Sequence, residues 1–430
     1  MIMEKQFQPL DWVKETNVYE VNVRQYTPEG TFRAFSSSLV RLKEMGVHTL
    51  WFMPITPISH EKRLGSLGSY YATADYTAIN PEFGSLEDFK QVIGQAHQLG
   101  MKVIIDWVAN HTGWDHVWVR SHPDFYKRNE QGQFYDNHGW VDVIDLDYSN
   151  PGLRRAMIES MAYWIRTCDI DGFRCDMGML VPLDFWSQAR RELDGIKPLF
   201  WMGELDQIDN PEYLTVFDAA YSWSWMHATG QFYQQHQKIE PLSNLLLAYD
   251  RQPPPDAIRL FFTSNHDENS WNGSEYEKYG DMALSLAVFS CTWNGIPMIY
   301  SGQELPNHKR LKFFDRDPID WGTQPPALQG FYKKLLDLHR GNAALRAGDP
   351  AVTTYLLHTT AGDNIFAFLR KQGNKEVLVI LNWSWEAKTF YLQDDWAQGT
   401  YQDIFSGQLT EVHKGIEWQL QPWGYTVLER

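Results

Sequence analysis

Short apolar runs alternate with amphipathic stretches along the chain up to about residue 345, and this alternation constrains the fold more than any other feature. "NVYEVNV" (17–23), "VHTLWFMPI" (47–55) and "MKVIIDWV" (101–108) read as strands. The third is apolar on both faces, as a parallel strand covered on both sides must be. Between them lie helical patterns over 36–46 and 85–100. In the second, Ser85 and Asp88 fit a capping box, Gly100 is a stop, and Leu86, Phe89, Val92, Ile93, Ala96 and Leu99 share one face. Further strands are expected at 169–176, 199–204, 217–222, 258–267 and 296–302, with helices over 151–168, 184–194, 276–293 and 327–340. Eight strands alternating with helices predict an α/β fold, a (β/α)8 TIM barrel rather than an open sheet.

Two regions break that rhythm. Residues 111–150 are rich in His, Trp, Asp and Gly and follow the third strand, so they read as a short inserted subdomain. From 345 to 430, runs such as "NIFAFLRK", "EVLVILNWS" and "YTVLER" alternate like strands between turns, which predicts a C-terminal all-β sandwich domain. The barrel is then expected to take 1–110 and 151–344.

Composition narrows the chemistry. A net charge of −16 disfavours nucleic acid, and neither a basic run nor a long apolar segment points to a membrane. Three cysteines, an odd number, argue against a disulfide framework. With no apolar leader, the expected location is cytoplasmic, or periplasmic or secreted if a leader has been trimmed. The 19 Trp offer either core bulk or flat surfaces for sugar stacking. Oligomeric state stays open.

In a barrel of this kind the site is built where strands end. Asp106, Asn110 and His111 end the third strand, Arg174 and Asp176 the fourth, Glu204 the fifth, and His266 and Asp267 the seventh. Three acids from three strands, with two histidines and an arginine, are costly to bury at several kcal/mol per unpaired ion, so they suggest chemistry rather than stability. Cys175, between Arg174 and Asp176, falls in the opposite phase and is expected among the helices.

In this order, "DWVANH", "GFRCD", "GE" and "NHDE" resemble the four conserved segments of the α-amylase superfamily of retaining glycoside hydrolases. "GVHTLWFMPI", "YYATADYTAINPEFGSLEDF", "DLDYSN" and "GIPMIYSGQE" are similar to its accessory segments. The resemblance implies an α-amylase-type glycosidase acting on α-1,4-linked glucans, starch-like or maltooligosaccharide. It implies Asp176 as nucleophile, Glu204 as general acid/base and Asp267 as transition-state stabiliser. Arg174 would orient Asp176, His111 and His266 would bind sugar hydroxyls, Tyr71 would stack on the ring and Asp106 would brace the site. Retention requires two carboxyl groups about 5–5.5 Å apart, one ionised and one protonated. Arg174 favours the charged form of Asp176. The apolar run before Glu204 suits a retained proton.

No cofactor is required for that chemistry. A structural calcium would use Asn110 and Asp145, but the Lys-His pair that follows the nucleophile in the family's amylases is replaced here by "DMGML". Met177 matches neither the α-1,4 nor the α-1,6 pattern, and "DLD" leans towards the amylase type. Trp114 and Trp118 are candidate sugar platforms in the insertion. An exo-acting α-glucosidase, a transglycosylase and a non-catalytic binding subunit remain as alternatives.

Overall fold

The computed structural model describes residues 4–254 and 256–430. Eight parallel strands close into a barrel: β1 (Val18–Val21), β2 (Thr49–Phe52), β3 (Lys102–Trp107), β4 (Gly172–Cys175), β5 (Phe200–Asp206), β6 (Ala219–Tyr221), β7 (Ile258–Phe261) and β8 (Ile296–Tyr300), with β8 pairing back to β1. The (β/α)8 expectation therefore holds. Strand alternation divides each sequence between two environments. Val18, Trp51, Ile104, Phe200, Met202 and Leu260 fill the barrel interior. Tyr19, Phe52, Ile105, Phe173, Cys175 and Trp201 face the surrounding helices in the larger core.

The helices follow their sequence signals closely where caps are strong. Leu86–Gln98 carries the capping box, with Ser85 and Asp88 each accepting from the other's backbone N–H. Pro151–Cys168 matches its expected span and is capped by Asn150. The expected helix 276–293 is two helices, Glu275–Tyr279 and Met282–Thr292. The break is at Gly280, where φ is +48° and an added Cβ would lie 2.1 Å from the Tyr233 hydroxyl. Two helices that the pattern did not single out, Trp223–Gln235 and Glu240–Arg251, fill the connection from β6 to β7.

Beyond β3 a two-stranded ribbon, His111–Gly113 with Val143–Asp145, ties the ends of the insertion together. The C-terminal region forms a six-stranded antiparallel sheet from Thr353–Leu357, Ile365–Gln372, Lys375–Asn382, Tyr425–Glu429, Gly399–Asp403 and Leu409–Val412, in that spatial order. Lys388–Tyr391 and Glu417–Leu420 make a second, two-stranded sheet. Trp383 fastens this all-β region to the barrel: it stacks on Phe366, and its Nε1 donates to Ser285 Oγ at 2.9 Å. Among the described residues, no helix is long and apolar enough to cross a membrane.

Candidate active site

The inward phase of the strands carries the polar residues upward from the apolar layers. Asp106 lies two residues beyond the inward Ile104, and Glu204 two beyond Met202. Arg174 lies two beyond Gly172, a glycine because a Cβ there would sit 2.1 Å from the Phe200 carbonyl oxygen. Asp176 continues the same phase, its N–H donating to the Trp107 carbonyl at 3.0 Å and so prolonging the ladder past the end of β4. In β5 the pairing register shifts between Gly203 and Asp206, the local irregularity by which a strand re-aims a side chain.

Arg174 is the hub. Its Nη1 donates to Asp176 Oδ1 at 2.8 Å and to Asp106 Oδ1 at 3.1 Å, and its Nε donates to the Tyr221 hydroxyl at 3.2 Å. Its Nη2 lies 3.0 Å from Glu204 Oε2, an ion pair without hydrogen-bond alignment. Glu204 gains its directional contact elsewhere, accepting from the Met177 N–H at 2.8 Å. Met177 adopts left-handed backbone (φ +41°), which costs a non-glycine residue on the order of 1–2 kcal/mol. The same turn aims its N–H at Glu204.

A second hub is His266. Its Nδ1 meets Glu20 Oε1, its Nε2 is 2.7 Å from the Tyr71 hydroxyl, and Asp267 Oδ2 lies 3.3 Å from Nε2. Tyr71 donates to Asp106 Oδ2 at 3.1 Å, which also accepts from Trp51 Nε1 at 3.2 Å. The two hubs thus share Asp106 through one tyrosine.

Five carboxyl groups surround two cations, and burial acts on all of them. Burial raises Glu204 to about 7, against the pull of Arg174. Burial likewise raises Asp176 and Asp106 to about 6, again opposed by Arg174. Asp267 is partly exposed; burial pushes it up, but the His266 charge outweighs that and holds it below the usual range. Burial disfavours the His266 imidazolium, but Asp267 and Glu20 hold its pKa well above the ordinary value. Burial lowers His111 to about 4, so this imidazole is neutral. Asp176, Glu204, Asp267, Tyr71 and His111 all line one cavity of roughly 400 Å³, walled on the insertion side by Trp140 and opposite by Trp271, Phe313 and Phe314.

The family profile for the α-amylase catalytic domain matches residues 11–139 and 124–317, and that for the α-amylase C-terminal all-β domain matches 355–422. The chain belongs to the α-amylase family. Its relatives include a cyclomaltodextrinase of Thermoanaerobacter pseudethanolicus, 25% identical over 400 residues that take in 85% of this chain and 65% of that one. Another is neopullulanase 2 of Thermoactinomyces vulgaris, 27% identical over 427 residues, 91% of this chain and 68% of that one. Among solved structures, a maltogenic α-amylase from Thermotoga neapolitana superposes with a TM-score of 0.88 at 29% identity, covering 97% of this chain and 99% of its own. An α-amylase from Lactobacillus plantarum gives 0.87 at 29%, covering 98% and 100%.

In this α-amylase family member the structure brings together Tyr71, Asp106, His111, Arg174, Asp176, Glu204, His266 and Asp267. Of the adjacent pair, Tyr71 faces the cavity, while Tyr70 is buried with its hydroxyl on Asn22. Cys175 is buried among the helices as its phase requires. Trp118 is no platform: it packs on Tyr76, His116 and Phe125. Trp114 lies outside the catalytic cavity.

The donors at Asn110 and Asp145 do not fit calcium. Asp145 Oδ2 accepts from Asn137 at 2.9 Å and from the Lys127 ammonium at 3.2 Å, a cation already in place, though Oδ1 has no partner. Asn110 Nδ2 lies 3.2 Å from His111 Nδ1. The carbonyls after Asp176 are engaged, Met177 O by the Leu180 N–H and Gly178 O by Trp186 Nε1. Two side chains fall well short of the six to eight oxygens calcium takes.

Sequence reasoning missed Glu20, the partner of His266. Its signal was a carboxylate in the middle of the apolar run "NVYEVNV". It also missed Trp51, Tyr221 and the Met177 N–H, as well as Trp140 and the aromatic wall at 271 and 313–314. A buried tryptophan in a strand looks like core, and a backbone donor has no sequence signature.

Proposed function

We propose that this protein is a retaining glycosidase that cleaves α-1,4-glucosidic bonds of maltooligosaccharides or related small α-glucans by double displacement. The observation that carries this is Asp176 and Glu204 on the two arms of one buried guanidinium, lining one cavity, with Glu204 the weaker acid of the two. Asp176, which accepts the Arg174 hydrogen bond, ionises before Glu204, which keeps its proton. Asp176 attacks the anomeric carbon as Glu204 gives its proton to the glycosidic oxygen, and the leaving chain departs. Glu204, now a carboxylate, takes a proton from water. That water breaks the glycosyl–Asp176 ester and restores both groups. Asp267, partly exposed at the cavity and ionised, stands against the positive charge that develops on the sugar ring. Arg174 and Asp106 position Asp176. Tyr71, held by His266 and Asp106, presents a fixed ring to the sugar, and neutral His111 offers a hydrogen bond.

The names of the relatives, cyclomaltodextrinase and maltogenic α-amylase, support small or cyclic α-glucans over granular starch. The chemistry runs on side chains alone, with no metal in any step. The test is the anomeric form of the sugar first released from maltoheptaose, followed by NMR, in the wild type and Glu204→Gln. Release of the α-anomer by the wild type and near-complete loss in the variant are expected; β-anomer release, or equal rates, would overturn the assignment.

A further inference from the structure

Glu20 is a carboxylate in the middle of a barrel strand, and no step of the double displacement uses it. It lies two residues beyond the inward-facing Val18 and pairs in register with Trp51 on β2 and Tyr300 on β8. Its carbonyl accepts from the Ser301 N–H at 3.1 Å and from Ser301 Oγ at 2.6 Å, which fixes β1 at that residue. Its side chain is fully buried, with Oε1 on His266 Nδ1 and Oε2 without a partner. Burying an unpaired carboxylate oxygen is costly. A glutamine would fill the same space and could bond Nδ1 with either end of its amide, so the hydrogen bond alone does not call for a charge here.

The far side of the imidazole supplies the reason. The Tyr71 hydroxyl gives its one proton to Asp106 Oδ2 at 3.1 Å, so it turns a lone pair towards His266 Nε2, 2.7 Å away. Asp267 Oδ2, 3.3 Å from the same nitrogen, is a second acceptor. Nε2 therefore carries a proton. A further proton lies between Nδ1 and Glu20. Burial pushes the Glu20 carboxyl up, but the Asp267 carboxylate beside the ring favours that proton on Nδ1, where it makes the imidazolium. The ring of Tyr71 stacks on this cation at 5.3 Å. The other titratable groups around the pair are Asp106, Arg174, Tyr221 and Tyr300. Arg174 favours the ionised form of Glu20, and burial keeps both tyrosines neutral. Neither Glu20 nor His266 lines the catalytic cavity, whereas Tyr71 and Asp267, the two groups that Nε2 meets, both do.

We propose that Glu20 is a positioning residue of the reaction: it holds His266 as an imidazolium behind the cavity wall, and the charged ring, donating from Nε2, holds Asp267 and Tyr71 in place against the sugar. The role in turnover rests on the glycosidase reading above.

The test is Glu20→Gln, which keeps the shape and removes the charge. Side-chain ¹⁵N NMR of histidine-labelled enzyme follows the ring between about pH 5.5 and 8.5, a range that brackets the ordinary histidine value of about 6.5. The His266 signals are assigned by their loss in His266→Gln. In the wild type His266 is expected to stay doubly protonated throughout; in Glu20→Gln it is expected to lose one proton within the range. On maltoheptaose, kcat of the variant is expected to fall roughly tenfold, the difference between a charged and a neutral donor, with a smaller change in KM. The deficit should grow from pH 6 to pH 8, as the variant ring loses its charge. A singly protonated His266 in the wild type at pH 7 would overturn the proposal. So would a variant whose ring titrates as in the wild type and whose deficit is flat with pH, even if its melting temperature fell, because that is the mark of a purely structural glutamate. Should Glu20→Gln not fold, Glu20→Asp, with a shorter arm and a weaker contact, is expected to release the second proton of His266 at a lower pH than the wild type; retention of both protons to the same pH would overturn the proposal. A wild type that cleaves no α-glucan overturns the glycosidase reading and the role in turnover with it, whereas the titration reports on the Glu20–His266 pair whatever the substrate.

Discussion

Two buried arginines sit sixteen residues apart in sequence and do opposite things. Arg190, on the helix Leu183–Leu193 outside the barrel, pairs with Asp218 at 2.8 Å and Asp194 at 3.1 Å and donates to the Val216 carbonyl. Each of its acids is closed off by a further donor: Asp218 takes the Trp201 backbone N–H at 2.9 Å, and Asp194 takes Trp201 Nε1 at 3.0 Å. Arg174, inside the barrel, faces three carboxyls that are all fully or almost fully buried. Only Asp106 is closed off in the same way, by Trp51 and Tyr71. Asp176 and Glu204 commit one oxygen each, Oδ1 and Oε2, to the contacts described, and both line the cavity. The Arg190 cluster satisfies each of its acids with a second donor. The Arg174 cluster holds carboxyl groups short of donors beside open space, and burial is the main cause that raises their pKa values.

Substitutions should separate the two clusters. The largest effect is expected from Asp176→Asn, which should lower kcat by roughly 10⁴-fold or more, measured on maltoheptaose, while the melting temperature changes little because a crowded charge is removed. A variant that kept a tenth of the wild-type rate would break the comparison. Glu204→Gln should lose about 10²–10⁴-fold in kcat. It should also lose the alkaline limb of the pH–rate profile. In the wild type kcat/KM should fall below about pH 6, as the Asp176 group takes up a proton, and above about pH 7, as Glu204 loses one. These limbs belong to the coupled group as a whole. Arg190→Met should do the reverse, costing on the order of 3–5 kcal/mol in denaturant unfolding and leaving kcat of the folded fraction unchanged. Tyr71→Phe removes one hydroxyl shared by the two hubs and should reduce kcat/KM roughly ten- to a hundredfold with an intact fold. The smallest effect is expected from chelation: EDTA should leave activity unchanged, since Lys127 already supplies the cation at Asp145.

What the sequence made legible follows from the range of the physics involved. Strand phase is local, so Arg174 and Asp176 could be placed on one face and Cys175 on the other without coordinates. The strong cap at Ser85 and Asp88 fixed a helix start for the same reason. The eight-strand alternation and the ordered motifs carried the barrel and the three acids. The rest depends on contacts across the chain. Glu20 meets His266 from 246 residues away, and Lys127 reaches Asp145 only once the insertion has folded back. The split at Gly280 required knowing that Tyr233 lies against it. The raised pKa of Asp176, despite its arginine, reflects burial that no local pattern reports. Trp114 and Trp118 show the same limit: two partly buried tryptophans four residues apart, one packed against Tyr76 and the other beside an open depression.

The central claim is that Asp176 forms a covalent bond to the sugar. It is tested most directly by trapping the enzyme with a fluorinated maltosyl fluoride, quenching with acid and locating the added mass by peptide sequencing. The label is expected on Asp176 and should be absent in Asp176→Asn. A label on Asp267, or turnover without any labelled peptide and with β-anomer product, would contradict the account.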